Sequence, residues 1–389
     1  MSEGSDLPVE LVIYAGALAN PSVGLGVHCL NLVRALERVA RPGWDFRILV
    51  PQDCEVETLG INTRTVRRFQ PWFTSGHALL DETIRWQVAA AKARAEYSRA
   101  IFHAPSVFWS PRAPVRRIVT LHDANYRAIP RYMGRLLVRK GILRLAERYA
   151  RSCERILTVS DFSRRQIVNL LGVSYEKITV TYNWISTEFS APLPSDRLAL
   201  VSKKYALPNR FWLYLGGYDC RKNIEFLVAA YAAARRSRPE MPPLVLAGKI
   251  PENGRNAMIC NVHGAISEAG LPANTILLPG PIDHCDVPAL YRLAALFIYP
   301  SLLEGFGLPP AEAMAMGTPV LVSDGSSLPE VVRNADCRFD PSNIAALQAK
   351  LMAAASDESQ FHCALPEEFT EGPGVARYLH SLGLPYSST

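Results

Sequence analysis

The sequence predicts an α/β protein of the doubly wound kind, with two Rossmann-like parallel-sheet domains facing a cleft. Three observations carry this. Short apolar runs alternate with amphipathic helical segments along the chain. The alternation runs once to about residue 190 and restarts near residue 209. The 389 residues, 49% apolar and 20% charged, are enough for two cores of ordinary domain size. The expected boundaries are 1–190 for the first domain, 191–208 for a hinge, 209–360 for the second domain and 361–389 for a tail crossing back to the first.

The elements follow in order. Leu7 to Ala15 is apolar almost throughout, which suits a strand buried on both faces. Residues 20–26 (NPSVGLG) read as a loop, and the helix at 27–40 sets Val27, Leu30, Val33 and Leu36 on one stripe. Further strands are expected at 46–50, 99–103, 116–121 and 155–159, with helices at 76–98 and 131–153 between them. The proline-rich stretch 191–196 reads as the linker. The second domain takes strands at 211–215, 243–247, 275–278, 296–299 and 319–323. Helices are expected at 222–236, 255–269, 286–294, 309–316 and 342–355, and a short one at 374–383. Two such domains imply a ligand at the carboxyl ends of their sheets.

Composition narrows the partners. No run of eighteen apolar residues is present, and the acidic start MSEGSDLPVE does not look like a signal peptide. The eight cysteines form no C-x-x-C pair and read as isolated thiols of a reducing, cytoplasmic compartment. Residues 1–190 hold 26 Lys/Arg against 17 Asp/Glu, a net of +9, and the remainder holds 16 against 19, a net of −3. A basic face attracts phosphate-rich partners or is simply solvated. Within it, 131–155 carries Arg131, Arg135, Arg139, Lys140, Arg144, Arg148, Arg151 and Arg155 among leucines and isoleucine. Such a helix either rests on an anionic membrane or packs with its arginines in water. Nucleic acid is disfavoured, because no stacking aromatics interleave with these arginines.

The block 301–319 (SLLEGFGLPPAEAMAMGTP) carries the chemistry. Gly305 and Gly307 permit close backbone approach to a ligand, with Phe306 and Leu308 beside them. Pro309 and Pro310 preset the first helical turn, and its free N–H groups favour a diphosphate. Glu304 precedes the loop and Glu312 is expected in the first turn of the helix. A carboxylate accepts two hydrogen bonds, so one suits ribose hydroxyls and the other a sugar's hydroxyls. Arg221 and Lys222 are placed to neutralise charge on a nucleoside diphosphate leaving group. No D-x-D triplet occurs in the chain.

These residues resemble the E-x7-E signature of the retaining GT-B glycosyltransferases of family four. Leu215 to Asn223 is similar to that family's G-x-x-x-x-R-K-N block, and Tyr299-Pro300-Ser301, residues 326–331 (SSLPEV), 158–163 (TVSDFS) and Tyr182-Asn183 match its usual surroundings. The resemblance implies that Glu304 holds the donor sugar, Glu312 the ribose, and Arg221 with Lys222 the diphosphate. It implies that Gly24 and Gly26 form a glycine loop over the diphosphate, near the acceptor. His122, after the strand 116–121, would contact the donor sugar. Asp123 would orient His122 or act near the acceptor, and His103 is a second strand-end histidine on the acceptor side. One departure is Gly217, where many relatives carry Arg. Either a phosphate contact is lost or the glycine leaves room for the donor.

The implied activity is transfer of a hexose with retention and without a metal, since the D-x-D triplet of many metal-dependent transferases is absent and Arg221 with Lys222 would stand in the metal's place. The donor is a nucleotide sugar, leaning to GDP-mannose, and the acceptor a glycan or lipid-linked glycan of a bacterial surface polysaccharide. No residue presents itself as a covalent nucleophile, so front-face displacement is expected, with the leaving phosphate taking the acceptor proton. The alternatives are a GT-B epimerase or phosphorylase, and a non-catalytic scaffold.

Overall fold

The computed structural model describes residues 9–20, 24–39, 45–71, 74–75, 78–114, 116–129, 137–251 and 258–386. The chain divides into two compact units, Met1–Trp184 with Glu371–Thr389, and Ile185–Thr370.

The first unit holds β1 (Val9–Tyr14), β2 (Asp45–Pro51), β3 (Val66–Phe69), β4 (Ile101–Ala104), β5 (Arg117–Thr120), β6 (Arg155–Thr158) and β7 (Ile178–Val180). Among the described residues they pair in parallel in the order β3-β2-β1-β4-β5-β6-β7. The order reverses between β1 and β4. The helices are α1 (Gly24–Val39), α2 (Ala78–Glu96), α3 (Asn125–Ala128), α4 (Leu137–Ser152) and α5 (Asp161–Leu171). β1 is buried on both faces because its side chains alternate. Leu11 and Ile13 join one core with Cys29, Leu32 and Leu36 of α1, while Val12 and Tyr14 join another with Ala89 and Ala93 of α2.

The second unit holds β8 (Trp212–Leu215), β9 (Leu244–Ala247), β10 (Ile276–Gly280), β11 (Leu296–Tyr299), β12 (Val320–Ser323) and β13 (Arg338–Phe339). Its parallel order is β10-β9-β8-β11-β12-β13, reversing between β8 and β11. The helices are α6 (Ser195–Lys204), α7 (Ile224–Ser237), α8 (Val262–Ala269), α9 (Val287–Leu293), α10 (Leu308–Ala315), α11 (Leu328–Val331) and α12 (Ile344–Ser356). The last helix, α13 (Glu371–Ser381), belongs to the first unit, where Val375, Tyr378 and Leu379 join the core of Leu11 and Ile13.

Several expected boundaries move. The first unit closes at Trp184 instead of residue 190, and 191–208 is no free hinge. Pro194, with φ −62°, presets entry into α6. Arg197, Lys204 and Tyr205 then converge on buried Asp286, with Lys204 Nζ at 2.6 Å and Tyr205 OH at 2.8 Å. The tail 361–389 is split, since residues up to Thr370 stay with the second unit.

The helix expected at 255–269 starts only at Val262, where the Asn261 side chain accepts from Gly264 N at 3.1 Å. Ile259 instead bridges Asp219, and 252–257 lie outside the described residues. The basic helix ends at Ser152, so Arg155 opens β6; Arg131 and Arg135 lie outside the described residues. On α4, Arg144, Arg148 and Arg151 are exposed while Ile142, Ala146, Tyr149 and Ala150 are buried. Glu147, also buried, accepts both Arg127 nitrogens and Tyr126 OH at 2.6–3.0 Å.

β3, β7 and β13 are unexpected, being short or charged. All eight cysteines are free, but Cys337 and Cys363 are not isolated, because their sulfurs lie 3.1 Å apart. No helix among the described residues is long and apolar enough to cross a membrane.

Candidate active site

Open α/β sheets bind ligands where the strand order reverses, at the carboxyl ends of the strands. In the second unit that point lies between β8 and β11, and the loops leaving both strands meet there. The 3-10 turn Cys220–Lys222 follows β8, and residues 300–307 follow β11. Leu302 N donates to Arg221 O at 2.7 Å, tying the loops together.

This junction brings Arg221, Lys222 and Glu304 into one cluster. Glu304 Oε1 accepts from Lys222 Nζ at 2.6 Å, Ser301 Oγ at 2.5 Å and Tyr299 OH at 3.0 Å. Oε2 accepts from Arg221 at 3.0 Å, and Arg221 also reaches Asp219 Oδ1 at 3.0 Å. Lys222 and Glu304 are 7% and 8% exposed, so the pair is screened little by water. Burial pushes the Glu304 carboxyl up, but Lys222 and Arg221 outweigh it and hold it at about 2. The glutamate is therefore a fixed anion with acceptor capacity left on Oε2. Serines fasten its backbone: Glu304 N donates to Ser326 Oγ at 3.0 Å, and Ser327 Oγ donates to Glu304 O at 3.1 Å.

The loop then enters α10 through Gly307, whose φ of 110° is open mainly to glycine. A Cβ there would also sit 2.7 Å from Leu328 Cδ2. Leu308 opens the helix, partly buried, and Gly305 is likewise partly buried. Phe306 departs from expectation: its ring is 3% exposed and packs edge-on to Phe369 at 5.2 Å, so it anchors the loop from below. Glu312 lies in the second turn of α10, not the first, because the helix already begins at Leu308. Its Oε2 accepts from Tyr291 OH at 3.1 Å. Burial pushes its carboxyl up to about 7, with Glu188 adding and Tyr291 opposing. Gly217 is exposed, and a Cβ on it would approach nothing closer than Asp219 Oδ2 at 3.9 Å, so the space an arginine would use is open.

In the first unit the reversal lies between β1 and β4. His122 follows β5, half-buried, with Nε2 2.9 Å from Pro105 O. Its ring meets that of His28 edge to face, centroids 4.5 Å apart. His28 Nδ1 lies 2.9 Å from Asn183 Oδ1. Asp123 accepts from Asn125 N at 2.9 Å and so sets the start of α3. Two expectations fail here. Gly24 and Gly26 are the first residues of α1, not a loop ahead of it, and Gly26 is buried. His103 is fully buried inside the sheet, with Thr120 Oγ1 2.8 Å from Nε2 and Tyr378 OH 2.8 Å from Nδ1. Burial lowers its pKa to about 3, with His122 adding, so it is a neutral core clip holding α13.

Four partners receive no role from the sequence, although Tyr299 and Ser301 lie in a stretch that resembles the family's. Tyr299 ends β11, Ser301 lies in the loop after it, Tyr291 lies within α9, and His28 sits among the apolar residues of α1. Only the spacing of Ser301 from Glu304 offers a signal.

The profile described as Glycosyltransferase Family 4 matches residues 23–189, and that described as Glycosyl transferases group 1 matches 202–371. The O-antigen chain mannosyltransferase B of Escherichia coli is 31% identical over 364 residues, covering 90% of this chain and 92% of that protein. This chain belongs to the group 1 glycosyltransferases of family four. Another relative of this glycosyltransferase, the serotype-specific mannosyltransferase WbdA of Escherichia coli, is 30% identical over 59% of this chain but only 28% of its own length. Anabaena HepE, crystallised with UDP and glucose, shares the fold at TM-score 0.68 and 17% identity, over 96% of this chain and 99% of that one. The glycosyltransferase therefore has the GT-B fold.

Proposed function

We propose that this glycosyltransferase moves a mannosyl group from GDP-mannose to a glycan or lipid-linked glycan, with retention and without a metal ion, in assembly of an O-antigen-type surface polysaccharide. The cluster of Arg221, Lys222 and Glu304 at the switch point carries the reading. Two fixed cations held against the loop that leads into α10 favour a diphosphate and stabilise the charge that grows on it as the glycosidic bond breaks. Oε2 of Glu304 accepts a hydroxyl of the sugar, and Glu312 accepts those of the ribose. His122 meets a substrate hydroxyl. The leaving phosphate takes the acceptor proton, so no further base is required. Similarity to the E. coli O-antigen mannosyltransferase supports mannose as the sugar.

The test is a metal-free assay of the purified chain with GDP-mannose, scored for GDP release and for the anomer of the product. Turnover with UDP- or dTDP-sugars in place of GDP-mannose would move the donor, and an inverted product would overturn retention.

The exposed Arg144, Arg148 and Arg151 of α4 support a resting place on an anionic membrane at the cytoplasmic face. Co-sedimentation with phosphatidylglycerol vesicles, lost on replacing Arg144 and Arg148 by Glu, is the expected result. Equal binding by that variant would remove the assignment.

A further inference from the structure

The sequence places His28 in the apolar side of α1, where a histidine is ordinarily a filler of the core. The structure gives it more definite surroundings. It is 9% exposed, flanked by Trp184 with ring centroids 6.4 Å apart. An amide oxygen only accepts, so the contact with Asn183 Oδ1 puts the proton of His28 on Nδ1. A carbonyl also only accepts, so the contact with Pro105 O puts the proton of His122 on Nε2. Nδ1 of His122 is left with its lone pair. The two rings are nearly perpendicular, at 88°.

The last torsion of a histidine is broad and two-fold, so one hydrogen bond leaves the ring free to rock about it. A perpendicular neighbour removes that freedom. We propose that His28 is a positioning residue for His122: its ring fixes the plane in which the His122 Nδ1 lone pair is presented to a substrate hydroxyl. This rests on the reading above that His122 meets substrate. The environment of both rings is consistent with neutral imidazoles, since burial lowers the pKa of each and the charges that His122 and His103 would carry lower that of His28 further. The hydrogen bond to Pro105 O, and after it the charge of Asp123, oppose this for His122.

The test uses the full chain labelled with ¹⁵N-histidine, whose eight histidines are sorted by the signal lost in His122→Ala. Long-range ¹⁵N–¹H spectra of the wild type should show His122 neutral with its proton on Nε2. A charged ring or the other tautomer at neutral pH overturns the proposal without any variant at position 28. His28→Gln keeps an amide facing Asn183 but removes the ring. With the ring free to rock, the His122 bond to Pro105 O should loosen, its tautomers mix and kcat/KM fall roughly tenfold or more, as with misplaced reacting groups. His28→Phe restores the ring without the Nδ1 proton. It should recover the tautomer and most of the turnover, while its melting temperature falls because Asn183 Oδ1 loses its donor. A filler of the core would show the opposite pattern, with both variants losing stability and neither moving the tautomer. Wild-type turnover in His28→Gln beside an inactive His122→Ala overturns the proposal. Wild-type turnover in His122→Ala overturns the reading beneath it.

Discussion

Lys222 Nζ lies 2.6 Å from Glu304 Oε1 in a site where neither residue is more than 8% exposed. Tyr299 OH touches both, at 2.5 Å from the ammonium and 3.0 Å from the carboxylate. A buried pair of this kind contributes little net stability compared with apolar residues, yet breaking it costs about 3–5 kcal/mol. Its presence at the switch point is best understood through the anion and the hydroxyl that the proposed reaction would bring there.

Lys222→Met should therefore lose both turnover and stability. Glu304 would remain buried, with Arg221 its remaining cation. The double variant Lys222→Met/Glu304→Gln should regain much of the melting temperature and none of the activity. Recovery of turnover in the double variant would mean that the cation acts only to balance Glu304.

Glu312 should impose a cost on the fold at neutral pH. Its carboxyl is raised from the ordinary 4.5 to about 7 by burial. Below 4.5 both folded and unfolded chains hold the proton, so nothing is lost. As pH rises from 4.5 through 7 the unfolded chain ionises first and stability falls. Glu312→Gln should thus stabilise the second unit at pH 8 by on the order of 2 kcal/mol, read as a higher melting temperature, and leave it unchanged at pH 4. The same variant should bind GDP more weakly, read by calorimetry. Equal melting of both proteins at pH 8 would contradict the raised carboxyl.

Tyr378→Phe should loosen α13 without touching the chemistry. It strands the buried Nδ1 of His103, at a cost of about 1–3 kcal/mol. Hydrogen exchange should quicken in α13, while kcat/KM of the folded enzyme stays within about twofold.

Gly307→Ala should weaken nucleotide binding more than it destabilises the fold. The new Cβ must accept φ 110° and displace Leu328, with strain of about 1–3 kcal/mol. The cheapest relief is a shift of the loop that carries Glu304. A wild-type affinity for GDP in this variant would show that the loop tolerates the shift.

Much of the architecture is legible in the amino-acid sequence. Alternation of apolar runs places most strands of both sheets, since parallel strands buried on two faces leave a strong signal. The block 301–319 stands out because glycine, proline and carboxylate occur there at spacings that a helix N-terminus requires. The failures have physical causes. Proline at 192 and 194 signals a break in backbone hydrogen bonding, and a helix start satisfies that as well as a hinge does. His103 and His122 both sit at strand ends, and only packing by Tyr378 distinguishes the buried clip from the half-buried ring. Phe306 lies between two glycines, so sequence places it on the loop but not on which side. His28 gives no sign of itself because its partners, Asn183 and His122, come from remote parts of the chain.

The assignment of α13 to the first unit bears on how the protein is made. The second unit is one unbroken stretch, so a ribosome delivers all of it before delivering α13. The first unit, although begun earlier, waits for Val375, Tyr378 and Leu379 to seal the core beside Leu11 and Ile13. Its early strands must stay soluble through synthesis of the whole inserted unit, with one side of their sheet unsealed. The half of the molecule translated first is therefore the half completed last. A nascent chain stalled before α13 should carry a protease-resistant second unit and a first unit still dependent on chaperones.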